Sequence, residues 1–227
     1  MKKSASILKL GMVCALALSV LMMGAAYAEE HEGDVYTLGT CPISGKALDE
    51  NAVVKVYDGA EVRFCCGGCP AKFEEDQEAS TAKLDEQITE QQDKIYPLET
   101  CIVSGEKLGE HGDVITLVKN NRLVKFCCKG CVPEFEKDTA KYITKLDEAV
   151  IEKQKESYAL ETCLVSGEDL GSMGGRIMYV AGNQLVEFCC KGCVKKFEAT
   201  PSAYLSKLGG GAAEAGSEEK TEKRDRS

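Results

Sequence analysis

The feature that most constrains this chain is a short cysteine-rich run that occurs three times. In each run a phenylalanine precedes two adjacent cysteines, a third cysteine follows three positions later, and another phenylalanine stands four residues beyond it. The cysteines of the three runs are Cys65, Cys66 and Cys69; Cys127, Cys128 and Cys131; and Cys189, Cys190 and Cys193.

A lone cysteine precedes each run and opens a turn-like segment that ends in Ser-Gly. These cysteines are Cys41, Cys101 and Cys163, and they recur after 60 and then 62 residues. Self-similarity at a fixed period is the signature of tandem structural units. The sequence therefore predicts three copies of one cysteine module.

The first 28 residues have the features of a secretory signal peptide. Lys2 and Lys3 give a basic start, residues 10–26 are apolar, and Ala26-Tyr27-Ala28 provides small residues at a cleavage site. A retained membrane anchor is the alternative, but the apolar run is short beside the roughly 20 residues of a membrane span. We expect cleavage near Ala28, a periplasmic or secreted protein, and no stable membrane span afterwards.

Charge and cysteine content narrow the function classes. The net charge of −9 becomes about −12 when the signal segment leaves, because that segment carries three lysines and no acidic residue. So acidic a chain is unsuited to nucleic acid, whose phosphates are bound by Lys and Arg. Twelve of the thirteen cysteines remain, four per module. In an oxidising compartment this number fits either disulfides or metal sites.

Each module contains the pattern of a β-hairpin between its lone cysteine and its cysteine run. Two extended segments flank a residue pair that tolerates positive φ, as tight two-residue turns require. The three pairs are Asp58-Gly59, Asn120-Asn121 and Gly182-Asn183. The predicted strands are 53–57 and 61–64, 114–119 and 122–126, and 177–181 and 184–188.

Helices are predicted after each cysteine run. Asp76, Asp138 and Thr200 stand at expected N-cap positions, and Pro201 follows the third. Residues 77–94 and 139–157 read as helices that link the modules. An apolar stripe on these helices, including Leu84 with Ile88 and Leu146 with Val150, is expected to pack against the hairpin of its own module.

The predicted fold class is therefore α+β, with three small treble-clef-like modules, each a β-hairpin plus helices, joined by linking helices. The expected units are a signal peptide at 1–28, modules at 35–94, 95–157 and 158–208, and a disordered tail at 209–227. Linking helices of this length would make the modules near-independent. Units of about 50 residues usually need disulfides, metal or partners to remain folded, so the cysteines are candidate staples.

The cysteine pattern also predicts chemistry. A lone cysteine in a turn, a hairpin, and a cysteine pair at a helix start give the ligand order of a treble-clef metal site. Thiolates bind zinc and soft ions such as copper(I). A helix N-terminus favours the thiolate form of cysteine. Zinc or copper(I) is the expected cofactor.

The motifs resemble those of YHS/TRASH-type domains. The resemblance rests on the turn Cys41-Pro42-Ile43-Ser44-Gly45, on the Phe-Cys-Cys-x-Gly-Cys-x-x-x-Phe run, and on the following Lys141-Tyr142-x-x-Lys145-Leu146. It covers residues 36–85, 96–147 and 158–208. It implies a treble-clef-like fold, metal binding and a role in heavy-metal sensing, trafficking or resistance. It also implies that Cys65 and Cys69 act together as metal ligands. The corresponding pairs are Cys127 with Cys131 and Cys189 with Cys193.

Strand alternation favours a different ligand. In a straight strand Val124, Phe126 and Cys128 share one face, while Lys125 and Cys127 lie on the other. This pattern, together with the Cys-x-x-Cys spacing, slightly favours the second cysteine of each run, whereas the resemblance favours the first. All twelve cysteines therefore remain candidate metal ligands.

No catalytic constellation accompanies the cysteines. The two histidines, His31 and His111, have no counterparts in the other modules. The expectation is an exported, non-enzymatic protein that holds one thiolate-bound metal per module and meets another metal-handling protein. Two alternatives stay open: disulfide-stapled modules with an interaction role, and a thiol redox protein.

Overall fold

The computed structural model describes residues 34–209. Its architecture is α+β, with three two-stranded antiparallel hairpins that alternate with helices, as predicted. The strands are β1 Val53–Tyr57, β2 Ala60–Phe64, β3 Ile115–Lys119, β4 Arg122–Phe126, β5 Ile177–Ala181 and β6 Gln184–Phe188. The helices are α1 Cys69–Glu75, α2 Gln77–Asp93, α3 Cys131–Lys137, α4 Thr139–Gln154, α5 Lys191–Ala199 and α6 Pro201–Gly209.

Two predicted segments fall largely or wholly beyond these bounds. The signal peptide at 1–28 lies outside the described residues, and so does the predicted tail except for Gly209, the last residue of α6. Within residues 34–209 no helix has both the length and the apolar character that a membrane span requires.

The hairpin turns have the predicted geometry. Both central residues of each turn have positive φ: 50° and 83° at Asp58-Gly59, 50° and 65° at Asn120-Asn121, and 52° and 63° at Gly182-Asn183. This matches the right-handed twist of the strands they join. Only the ends differ, since β2 begins one residue earlier and β3 one residue later than predicted.

Helix starts follow the predicted caps. The Asp76 carboxylate accepts a hydrogen bond from the Ala79 amide at 3.1 Å, and Asp138 accepts one from the Lys141 amide at 3.3 Å. Such a bond satisfies an amide that has no partner within the first helical turn. The helix after Thr200 starts at Pro201, as predicted.

Each module core is built on a pair of phenylalanines. One ends the second strand and the other lies on the short helix after the cysteine run, and every one of them is fully buried. The ring centroids are 5.6 Å apart for Phe64–Phe73, 5.4 Å for Phe126–Phe135 and 5.2 Å for Phe188–Phe197. This contact fixes the helix start against the strand end, with the cysteines between them.

The linking helices pack partly on the next module. Leu84 and Ile88 of α2 lie in the core of module 1, as expected. Val150 of α4, in contrast, lies with Val180 and Leu185 of the third hairpin. The expectation of packing on the module's own hairpin is therefore wrong for Val150, because a helix joining two modules presents apolar side chains to both.

Direct contacts join all three modules. Arg122 of module 2 is 1% exposed and contacts Asp34 at 3.2 Å, Asp147 at 2.7 Å and the Asn183 side chain at 3.0 Å. Arg63 of module 1 donates to main-chain carbonyls at the end of α5 in module 3. The modules are therefore not the near-independent units that the linker lengths suggested.

Candidate metal centres

The lone cysteine of each module lies in a tight main-chain knuckle. The Cys41 amide donates to the Lys46 carbonyl, and the Gly45 amide donates to the Cys41 carbonyl, both at 2.8 Å. Gly45 has a φ of 69°, which explains the glycine of the Ser-Gly motif. The same bonds recur around Cys101 and Cys163. The knuckle folds main-chain amides around the cysteine sulfur.

The cysteine run forms the other half of the site. Strand β4 ends at Phe126, and the chain bends at Cys127 and Cys128 before α3 begins at Cys131. Because of this bend, Cys127 turns inward directly after the buried Phe126 and is only 2% exposed. The argument from strand alternation fails here, since it assumed a straight strand through both cysteines.

Three cysteines of each module bring their sulfurs together, and within each group, here called a sulfur triad, all Sγ atoms lie within 4.8 Å of one another. The triads are Cys41, Cys65 and Cys69; Cys101, Cys127 and Cys131; and Cys163, Cys189 and Cys193.

The spacing within the triads suits a metal ion. The two sulfurs from each cysteine run are 3.8, 3.8 and 3.7 Å apart in modules 1, 2 and 3. A zinc–sulfur bond of about 2.3 Å in tetrahedral geometry places two sulfurs about 3.8 Å apart. The two run sulfurs of each triad are therefore spaced for one thiolate-bound ion, with the sulfur of the lone cysteine within 4.8 Å of both.

The remaining cysteine of each module lies beside its triad. Cys66 and Cys128 are exposed and Cys190 is partly buried. Their sulfurs are 3.4, 3.8 and 3.6 Å from those of Cys69, Cys131 and Cys193. The twelve candidates thus divide into nine triad members and three flanking thiols. The first cysteine of each run, rather than the second, joins the triad.

The knuckle lowers the pKa of the lone cysteines. Burial alone would raise the pKa of Cys41, but hydrogen bonds from the Ser44 side chain and from nearby main-chain amides outweigh it and lower the pKa to about 6. The pKa values of Cys101 and Cys163 are also lowered to about 6 by the same kinds of hydrogen bond. One thiolate per triad is therefore available to an ion at neutral pH.

The last cysteine of each triad has the opposite shift. Burial, followed by hydrogen bonding to neighbouring sulfurs, raises the pKa of Cys69, Cys131 and Cys193 to about 12. A metal ion reverses this preference, because only the deprotonated sulfur is a ligand and binding releases the proton.

A serine supports each triad, and the sequence reasoning did not identify it. Ser44 Oγ is 3.1 Å from Cys65 Sγ, Ser104 Oγ is 3.3 Å from Cys127 Sγ, and Ser166 Oγ is 3.4 Å from Cys189 Sγ. Each hydroxyl accepts a main-chain amide bond from the residue two positions on. Its hydrogen can therefore point at sulfur, although in the second module Ser104 also donates to Glu106 at 3.4 Å. The signal was its recurrence in every Cys-x-x-Ser-Gly turn.

The second triad has an additional carboxylate. Glu106 Oε2 is 3.4 Å from Cys127 Sγ and 3.4 Å from Ser104 Oγ. Lys46 and Glu168 occupy the corresponding positions in the other modules. Oxygen ligands occur in zinc sites, so Glu106 is a further candidate ligand at the second triad.

Other candidate arrangements gain no support among residues 34–209. All twelve cysteines in this range are free thiols. His111 belongs to none of the triads, and His31 lies outside the described residues.

Comparison with known proteins adds no relative: no family model matches the chain, and no curated protein or solved structure is significantly similar to it. The geometry of the three sulfur triads therefore carries the functional argument.

Proposed function

We propose that this protein binds soft metal ions, one at each sulfur triad, and serves in metal binding, trafficking or resistance. The observation that carries the proposal is the convergence of three cysteine sulfurs within 4.8 Å in each of three modules. Zinc and copper(I) are the proposed ions, since both bind thiolates.

Two further features support this role without depending on a relative. The lone cysteine of each triad has a pKa lowered to about 6, which favours metal capture at neutral pH. The motifs also resemble those of YHS/TRASH-type domains, a group associated with heavy-metal handling. We include in the proposal a non-enzymatic role, export after cleavage near Ala28, and contact with another metal-handling protein.

A second candidate is thiol redox activity. The Cys66–Cys69 pair has Cys-x-x-Cys spacing, with an exposed sulfur 3.4 Å from a buried one. This arrangement allows a disulfide to form with little movement. A disulfide there would remove Cys69 from its triad, so stable oxidation and metal binding exclude each other.

The deciding experiment is anaerobic purification followed by elemental analysis and a count of reactive thiols. We expect about three zinc or copper ions per chain, with the nine triad thiols reactive only after chelation and the three flanking thiols reactive before it. A chain with no metal and intact disulfides in the unreduced protein would refute metal binding.

A variant separates site binding from adventitious binding. Cys101→Ser with Cys131→Ser removes two ligands of the second triad and leaves the other two triads intact. We expect metal content to fall by one ion per chain. A matched control, Ser157→Ala, changes an exposed residue after α4 and should leave the metal content unchanged.

A further inference from the structure

One thiol lies beside the triad in each module, exposed for Cys66 and Cys128 and partly buried for Cys190. In the second module Cys101, Cys127 and Cys131 are 1%, 2% and 9% exposed, whereas Cys128 is exposed. An ion held by the triad is thus shielded from water and from any large ligand. Such an ion needs a route by which it can be captured and released.

The flanking thiol is close enough to share that ion. Cys128 Sγ is 3.8 Å from Cys131 Sγ, the same separation as between the triad sulfurs of Cys127 and Cys131. Two thiolates at this distance can contact one ion at ordinary metal–sulfur bond lengths. Cys66 and Cys190 repeat the arrangement at 3.4 and 3.6 Å from Cys69 and Cys193.

In the second and third modules a glycine lies beside the flanking thiol. A Cβ atom added at Gly130 would lie 3.7 Å from Cys128 Sγ, and one added at Gly192 would lie 3.7 Å from Cys190 Sγ. This distance is an ordinary van der Waals contact, so a Cβ at either position would touch the sulfur without displacing it. Gly68 stands at the same position of the first run, where an added Cβ would have no neighbour within 4 Å, so the space beside Cys66 is open as well.

We propose that Cys66, Cys128 and Cys190 are exchange ligands through which metal ions enter and leave the triads, with a thiolate-bearing carrier as donor or acceptor. This inference rests on the proposed metal-binding function. A thiolate carrier fits because the flanking position offers one accessible sulfur, which can hold an ion only while other sulfurs share it.

The transfer is ligand substitution. A bond forms between the ion and the Cys128 thiolate while one bond between the ion and a carrier sulfur breaks. Bonds to the triad sulfurs then form, the remaining carrier bonds break, and Cys128 releases the ion. The ion keeps its oxidation state, and protons from the triad thiols pass to the departing carrier thiolates or to buffer.

The test compares the whole chain with a triple variant, Cys66→Ser, Cys128→Ser and Cys190→Ser, which leaves every triad intact. Copper(I) is delivered anaerobically either by glutathione or by a peptide containing Cys-x-x-Cys, and transfer is followed by stopped flow. We expect three ions per chain and an unchanged Kd, with transfer at least about tenfold slower.

The two delivery arms distinguish the carrier. Slowing with both donors or with the peptide alone supports exchange with protein thiolates, and slowing with glutathione alone supports exchange with small thiols. Equal transfer rates in the variant and the wild-type chain would overturn the proposal. A loss of stoichiometry or an affinity loss of tenfold or more would also overturn it, because the flanking thiols would then be resident ligands.

A second variant makes the failure of this inference distinct from failure of the proposed function. Cys65→Ser, Cys127→Ser and Cys189→Ser together remove one ligand from each triad and should abolish tight binding. If the wild-type chain itself takes up no copper(I), the proposed function fails. If the wild-type chain binds three ions and the transfer rate is the same without the flanking thiols, only the exchange proposal fails.

Discussion

The Gln92 side chain donates a 2.7 Å hydrogen bond to the main-chain carbonyl of Asn121. Its Oε1 also accepts a 2.8 Å bond from the Leu123 amide. Gln154 repeats both interactions in the next module, with the Asn183 carbonyl and the Leu185 amide, each at 2.8 Å. A glutamine near the end of each linking helix thus binds the turn of the following hairpin.

We predict that Gln92→Ala destabilises the chain by about 2–4 kcal/mol, because it leaves a buried amide and a buried carbonyl without partners. Urea unfolding followed by circular dichroism measures the change. Glu90→Ala, at an exposed position on the same helix, serves as the control and should change the free energy of unfolding by less than about 0.5 kcal/mol. Similar values for the two variants would show that the glutamine bridge contributes little.

Gly182 tests the contact between modules separately from the turn itself. Asn120 holds a φ of 50° at the corresponding position of the second hairpin, so Gly182→Asn is compatible with the turn. An added Cβ would lie 2.8 Å from Thr37 Cγ2 and 2.8 Å from Gln92 Nε2. We expect a loss of about 1–3 kcal/mol by thermal or urea unfolding.

The matched control for this steric prediction is Asn120→Gly, which places the glycine of the third hairpin in the second. It should alter stability by less than about 1 kcal/mol, because glycine readily adopts positive φ. Wild-type stability in Gly182→Asn would mean that the neighbouring segment moves aside freely.

Arg122 is expected to be the most sensitive charged residue among those described. Arg122→Ala leaves Asp147 without its buried partner and should cost about 3–5 kcal/mol. Lys137→Ala removes an exposed pair with Glu134 and should cost less than about 1 kcal/mol. Chemical denaturation of both variants measures the difference, and equal costs would contradict the role assigned to Arg122.

The serine hydroxyl of each turn should help to lower the pKa of the cysteine in the same turn. Ser104→Ala removes a hydrogen bond that helps to lower the pKa of Cys101, so that pKa should rise from about 6. Less of the sulfur is then thiolate at pH 7, and alkylation of Cys101 in the metal-free protein should slow. Mass spectrometry of the Cys101 peptide over a range of pH reads the shift. Ser157→Ala is the control, and an unchanged profile in Ser104→Ala would refute the role of the hydroxyl.

Proton release on metal binding follows from the opposed pKa shifts. Cys101, with a pKa of about 6, is already ionised at pH 7.5, whereas Cys131, with a pKa of about 12, must lose its proton to bind an ion. Cys41 with Cys69 and Cys163 with Cys193 show the same contrast. Each ion should therefore displace fewer than three protons at pH 7.5, and more as the pH falls through 6.

Calorimetry in buffers with different ionisation enthalpies measures this number directly. Since more protons compete below pH 6, metal affinity should fall more steeply with decreasing pH there than between pH 7 and 8. Release of three protons per ion at pH 7.5 would show that the knuckle does not hold its cysteine as a thiolate.

Local signals predicted much of this structure. Turn pairs such as Asn120-Asn121 and caps such as Asp138 act within a few residues, and the structure has both where the sequence placed them. The repeated cysteines likewise predicted a site in each module, and three of the four cysteines converge in every copy.

The remaining features depend on interactions between distant residues. The inward turn of Cys127 follows from a bend after Phe126, which an alternation pattern does not encode. Gln92 and Arg122 read as ordinary helix and strand residues, because partners such as Asn121 and Asn183 lie in the following module. Ser104 was visible in its motif, but its approach to Cys127 depends on the two halves of the site meeting.

The contact between Arg63 and the end of α5 is specific to the first module. Modules 2 and 3 carry Lys125 and Glu187 at the corresponding position, and these bind Asp93 and Arg176 instead. Three copies that share their cysteines have thus acquired separate neighbours, so each position in the array now requires its own residue. Exchanging the order of the modules would preserve every candidate metal-binding cysteine but would remove the contacts between the modules.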